Sequence, residues 1–206
     1  MPTTLYATFG SGNSFKPALL LRQTGKHCVT KFLNVLAGES RQPEFLAINP
    51  RGQVPYLVLE DGRGIGESNA IAWWVAEGTS LMPADAVSRA QAVQWMIFEQ
   101  TSLEPNISPA RFFTHIVPEQ RQAHAADIPR WLDAGHRALG VLDTYLSRRD
   151  FITDHGYSVA DVAVYGYTHL AEEGGFELSR FTHVVRWMQR VQQSDAYLPI
   201  AQLLKP

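Results

Sequence analysis

The sequence predicts an α/β domain at the amino end and an all-α domain after it, and three observations carry that prediction. The first third alternates short β-like runs with helical ones, whereas the rest keeps helical spacing almost throughout. A stretch of small residues with Pro83, from Thr79 to Asp85, separates the two regimes. The chain has 206 residues, 45% of them hydrophobic and 18% charged, enough to bury a sizeable core. The expected organisation is residues 1–78 as the α/β domain, 79–86 as a linker and 87–206 as the helical domain.

Each element has a local reason. Leu5 to Phe9 reads as a strand stopped by the turn Gly10-Ser11-Gly12. Ser14 to Gln23 reads as a helix that tolerates Pro17 because it falls in the first turn, and Gly25 ends it. Cys28 to Val35 is a second strand and Pro55 to Leu59 a third, which Asp61-Gly62 turns into a short fourth near Ile65. The order is βαβ followed by a hairpin. Ser68 then caps a helix through Ala76, and Gly78 stops it in the left-handed conformation. A long helix over Val87 to Phe98 opens the second domain. Ile128, Trp131, Leu132, Gly135, Leu139, Leu142, Tyr145 and Leu146 form one apolar stripe beyond it, and Phe181, Val184, Val185, Met188 and Val191 another. In Tyr157-Ser158-Val159-Ala160-Asp161-Val162, Ser158 is a cap with Asp161 three residues on, and Tyr157 and Val162 stand as a hydrophobic staple. That string is folding information rather than catalysis.

Composition excludes several classes. The net charge of −2 is spread evenly, with seven basic and six acidic residues in 1–77, so neither part has the field that a nucleic-acid partner would require. No stretch approaches the roughly 18 apolar residues of a membrane span, and MPTTLYATFGSG lacks the basic flank and apolar run of a secretory signal. The single cysteine, Cys28, supplies neither an internal disulfide nor a CxxC pair. A soluble protein of the reducing cytoplasm is expected. The seven histidines include no HExxH or close ligand pair, so no metal site is expected.

Three segments carry candidate chemistry. In Gln53-Val54-Pro55 a proline opens a strand, which either makes an ordinary X-Pro turn or leaves the amide and carbonyl of Val54 facing outward to pair with an extended peptide. In Glu67-Ser68-Asn69, Ser68 either caps its helix or joins the free amides there in holding a carboxylate, while Glu67 holds an ammonium close by. Together these would recognise a zwitterionic amino-acid head. In Gly10-Ser11-Gly12-Asn13-Ser14 the glycines are wrongly spaced for a dinucleotide or P-loop fingerprint, but a hydroxyl at a helix amino end either caps that helix or hydrogen-bonds a ligand thiolate.

Three of these strings, in order and at their spacing, resemble the cytosolic glutathione S-transferase family: LYATFGSGNSFKPALLLRQTG, PEFLAINPRGQVPYLVLEDG and GESNAIAWWVAE. YSVADVAVYGYTH and EEGGFELSRFTHVVRWMQRV extend the resemblance to the far end. It implies a thioredoxin-like first domain that holds glutathione as co-substrate. A helical second domain would supply most of the pocket for a small hydrophobic electrophile, in a cytoplasmic homodimer of the kind used in detoxification. By the family's pattern Val54, beside Pro55, pairs its backbone with the cysteinyl part of glutathione. Glu67 and Ser68 hold the γ-glutamyl end, and Gln53 helps with the tripeptide backbone or glycyl end. Ser11 falls where theta-, phi- and zeta-like members place a catalytic serine. The proline of SFKPALLLRQTG is beta-like, and aligning from it places Asn13 near the sulfur instead, with Ser14 third in order. The turn has no tyrosine, and Cys28 lies too late in the chain to replace the cysteine of omega- or beta-like members. Arg51 stands where some classes carry an aromatic key for the partner subunit. Phe9 and the stretch Ser102 to His115, with Asn106, Arg111 and Phe112, are the candidates for the electrophile pocket.

The implied chemistry is physically modest. A free thiol has a pKa of about 8.5, and lowering it by about two units takes roughly 2.7 kcal/mol of preference for the thiolate. A hydroxyl donor gives about 1.5–3 kcal/mol and a helix amino end about 0.3–1. The thiolate then attacks an electrophilic carbon. In the alternative readings it attacks a disulfide or peroxide, or the fold is kept as a non-catalytic binding module.

Overall fold

Leu5, Ala7 and Leu57 are buried, and the sheet of the first unit is built around them. In a computed structural model, residues 1–205 are described. β1 (Thr4–Ala7) lies centrally, parallel to β2 (Val29–Phe32) and antiparallel to β3 (Tyr56–Val58), which pairs in turn with β4 (Gly64–Ile65). The order is β2-β1-β3-β4, with Leu5 opposite Thr30 on one side and Leu57 on the other. β1 stops at Ala7 because the Thr8 amide turns to the Ser14 hydroxyl at 3.2 Å. The β2 ladder ends where the Asn34 amide is taken by the Glu39 carboxylate at 2.7 Å, short of the expected Val35.

α1 (Gly12–Thr24) connects β1 to β2 and packs on α3 (Ser68–Ala76), while a short α2 (Pro43–Leu46) precedes β3. Phe15, Leu19 and Leu20 on α1 and Ile71 and Val75 on α3 are fully buried, each stabilising the fold by about 1.5–3 kcal/mol. Two expectations are corrected here. α1 begins two residues earlier than expected, because Ser11 caps it, so Pro17 lies in its second turn without an N–H to give the Asn13 carbonyl. Ser68 is not the cap of α3 but its first helical residue; Glu67 occupies the cap position, and the Ser68 hydroxyl is directed to another helix.

The second unit is helical: α4 (Ala86–Phe98), α5 (Glu104–Arg111), α6 (Ile128–Leu146), α7 (Val159–Thr168) and α8 (Thr182–Gln192). π-helical turns flank α5 over Glu99–Leu103 and Phe112–Ile116. Every residue of α7 is buried. Its capping box closes on Asp161, which accepts the Ser158 and Ile152 amides at 2.9 Å and the Trp187 indole of α8 at 2.8 Å. Burial nevertheless pushes the Asp161 carboxyl up to about 6. Tyr157 lies edge-on to Phe151.

The two units are residues 1–82 with 195–206, and residues 83–194. The helical domain was expected to run to 206, but the chain's last stretch returns to the first unit. There Arg22 and Gln23, at the end of α1, donate to the carbonyls of Ala196 and Asp195 at 2.9 and 3.1 Å. α9 (Ile200–Leu203) packs against α1, and Leu204 is buried. Among the described residues no helix is long and apolar enough to cross a membrane.

Candidate functional site

The amino ends of α1 and α3 meet in the first unit. Ser11 caps α1 with an extended backbone (φ −84°, ψ 120°), and its Oγ accepts the Ser14 amide at 3.2 Å, leaving the hydroxyl hydrogen available to donate. Ser14 is buried, its hydroxyl engaged by Thr8 inside the turn. Asn13 turns its side chain toward α3. Its Oδ1 accepts the Ser68 hydroxyl at 2.9 Å and the Lys16 ammonium at 3.0 Å, and Lys16 also donates to the Ser68 Oγ at 3.4 Å. The positive ends of two helix dipoles and a buried cation thus lie close together, a field that favours an anion.

The strand edge is prepared by the residues before it. Asn49 is buried, donates to the Gln53 carbonyl at 2.8 Å and accepts the Arg51 amide at 3.2 Å. Gly52 has φ 58°, and a Cβ there would lie 2.7 Å from the Ser40 carbonyl oxygen, so only glycine fits. The Val54-Pro55 peptide bond is cis. Val54 is half-buried, and neither its amide nor its carbonyl has a hydrogen-bond partner among the described residues. The Gln53 side chain is exposed.

Arg51 joins this edge to α3 through an ion pair with Glu67. Glu67 holds φ 62°, a left-handed conformation that costs a non-glycine residue about 1 kcal/mol or more and that recurs at ligand-holding positions. Residues 11–16, 51–55 and 67–68, far apart in sequence, are therefore linked by side-chain bonds in one unit. Lys16 and Arg51 have roles that the sequence reading missed. The signal for Lys16 is a lone cation beside the apolar run Ala18 to Leu21; the position of Arg51 in the sequence suggests only a subunit contact.

The remaining candidates are placed separately. Phe9 is 41% exposed and stacks on Phe32 at 4.3 Å between ring centroids. In the second unit Asn106 donates to the Ser102 carbonyl in the π-helical turn before α5 at 2.7 Å, and Phe112 meets Phe113 edge-on. Arg111 is buried with its Nε 2.5 Å from the Glu173 carboxylate, which answers its charge inside that unit. Burial pushes the Cys28 thiol up, away from thiolate chemistry. Among the described residues no group of three or more His, Cys, Asp or Glu could hold a metal ion.

Comparison with known proteins gives two separate matches along the chain. The family described as "Glutathione S-transferase, N-terminal domain" matches residues 1–77, and "Glutathione S-transferase, C-terminal domain" matches residues 103–195. Protein LigF of Sphingobium sp. is 32% identical, over 95% of this chain and 91% of its own. A solved structure described as a possible glutathione S-transferase from Rhodopseudomonas palustris is 42% identical with a TM-score of 0.94, covering 97% of this chain and 98% of that one. Yeast Ure2p in complex with S-hexylglutathione is 26% identical with a TM-score of 0.86, covering 99% and 98%. A thioredoxin-like unit and a helical unit, each matched by its own domain family, leave one assignment: the chain belongs to the glutathione S-transferase family.

Proposed function

We propose that this chain is a glutathione transferase that binds the tripeptide along the Val54 edge, holds its thiol as thiolate at the amino end of α1 and directs it at a small hydrophobic electrophile. The unpaired backbone of Val54 carries this reading, because an amide and a carbonyl left open beside a strand are satisfied by antiparallel pairing with an extended peptide. The cysteinyl residue of glutathione pairs there. The amides opening α3 at Ser68 take the γ-glutamyl carboxylate, Glu67 takes its ammonium, and Gln53 reaches the glycyl end. Ser11, free to donate while it accepts from Ser14, and the Asn13 amide meet the sulfur. Phe9, stacked on Phe32, offers a flat apolar face directly before that turn for the electrophile. A cytoplasmic homodimer belongs to the same reading.

The test is a titration of thiolate ultraviolet absorbance against pH at saturating glutathione, with conjugation to a chloronitrobenzene followed in parallel. The expected result is a bound thiol substantially ionised at pH 7 and steady conjugation. No glutathione uptake at millimolar concentration overturns the reading. Turnover of a mixed disulfide but not of the chloronitrobenzene replaces the transfer with glutathione-dependent reduction. A second reading is favoured by the similarity to Ure2p, described both as a nitrogen regulation fragment and in complex with glutathione: a binding module without catalysis. Uptake of glutathione with its thiol still titrating near its free value of about 8.5 selects that reading.

A further inference from the structure

Lys16 is fully buried, on a helix whose neighbouring buried side chains Phe15, Leu19 and Leu20 are apolar. Withdrawing an ammonium from water costs several kcal/mol unless hydrogen bonds receive it. Hydrogen bonds receive it here, among them those to the Asn13 Oδ1 at 3.0 Å and the Ser68 Oγ at 3.4 Å, while the Ser68 hydroxyl donates to the same Oδ1 at 2.9 Å. An ammonium has only donors, so the atom that Asn13 turns to it is the oxygen. Nδ2, the donor atom of the same planar amide, is then the end that does not face Lys16. An amide oxygen that accepts two donors, one of them charged, is polarised, and its N–H groups become stronger donors.

We propose that Lys16 is a positioning residue for the glutathione thiolate: it locks the Asn13 amide with Nδ2–H toward the sulfur and sets a positive charge behind it. This rests on the proposed glutathione reading. The S–H bond breaks with its proton passing to solvent water, and the thiolate left behind accepts from Nδ2–H. At one amide's remove the ammonium lies on the order of 6 Å from the sulfur, a range at which an opposite charge lowers an acid's pKa by about one unit or more. The other charged groups on the elements packed here are disposed differently. Arg51 and Glu67 pair with each other, Lys31 on β2 lies over the Tyr6 ring, and Arg22, Lys26 and Glu77 belong to the far ends of α1 and α3.

The experiment uses the full chain and separates binding from ionisation. Affinity is measured with S-hexylglutathione, which has no thiol to titrate, and the thiol pKa of bound glutathione by thiolate absorbance. Lys16→Met is expected to bind S-hexylglutathione within about threefold of wild type yet raise the bound thiol's pKa by about one unit. Its kcat/KM should fall about tenfold below neutral pH and recover as the pH rises. Combined with Asn13→Ala, it should raise the thiol pKa by less than the sum of the two single shifts, since Lys16 acts partly through the Asn13 donor and partly through its own charge. Asn13→Asp, which keeps an acceptor for Lys16 but replaces the Nδ2 donor with a carboxylate oxygen, should raise the thiol pKa beyond Asn13→Ala; if Lys16→Met does not fold, Lys16→Gln, which keeps a donor for Asn13 without the charge, decides the matter by a raised thiol pKa. A Lys16→Met or Lys16→Gln protein with the wild-type thiol pKa, or an Asn13→Asp protein with it, overturns this proposal alone. A wild type that takes up neither S-hexylglutathione nor glutathione overturns the glutathione reading itself.

Discussion

Ser11 shows how one side chain serves fold and chemistry together. Its oxygen caps α1 through the Ser14 amide while its hydroxyl hydrogen remains available to donate. Ser11→Ala therefore has two expected effects: loss of the cap, about 1 kcal/mol or a few degrees of Tm by calorimetry, and a higher thiol pKa for bound glutathione. Ser11→Thr should restore both. A lower Tm with an unchanged thiol pKa would reduce Ser11 to a cap and leave the sulfur to Asn13. Ser68 makes the complementary point. Local pattern makes a serine before an apolar run a cap, and only the approach of α1 sends its hydroxyl to Asn13, 55 positions away in sequence. No periodicity within a window of a few turns encodes that bond.

Among elements, α7 is tied to its surroundings by one side chain, because Asp161 binds its first turn, the chain at Ile152 and Trp187 of α8 at once. Asp161→Ala leaves those buried donors unanswered and should cost about 3 kcal/mol or more, read as a lower urea midpoint. The capping pair was legible in the sequence, since S-x-x-D is a local signal; the indole partner, 26 residues on, was not. The raised carboxyl also predicts a pH dependence. Between the unfolded value of 3.8 and about 6 the folded state binds the proton more tightly. Asp161's contribution is thus fully present below the unfolded value and lost as pH rises through about 6, by on the order of 2–3 kcal/mol. Asp161→Asn removes this ionisation, so the stability of wild type relative to Asp161→Asn should fall from pH 4 to pH 7. A flat difference would mean that the hydrogen bonds to Asp161 offset its burial. At α1 the start of the helix was misread for a simple reason: Ser11 and Ser14 are both good caps, and the hydroxyl of Ser14 is claimed by Thr8 at the end of β1.

In the whole molecule, the chain's return to the first unit matters most. Arg22 and Gln23 hold the carbonyls of Ala196 and Asp195, and Leu204 is buried there. Ending the chain after Ser194 should uncover this side of α1 and cost about 2–4 kcal/mol, with faster hydrogen exchange for α1 amides than for those of α7. Equal exchange in both helices would mean that the return adds nothing to α1.

The sequence by itself determined the class of each unit, the βαβ-hairpin order and the family strings, because all of these rest on periodicity, turn residues or motifs within a few turns of chain. Tertiary structure alone decided which polar groups meet: Asn13 with Lys16 and Ser68, Arg51 with Glu67, and the last residues with α1. Those pairings depend on where the helix ends and strands come to rest, and a side chain's partner across a packed interface leaves no mark on the spacing of its own segment.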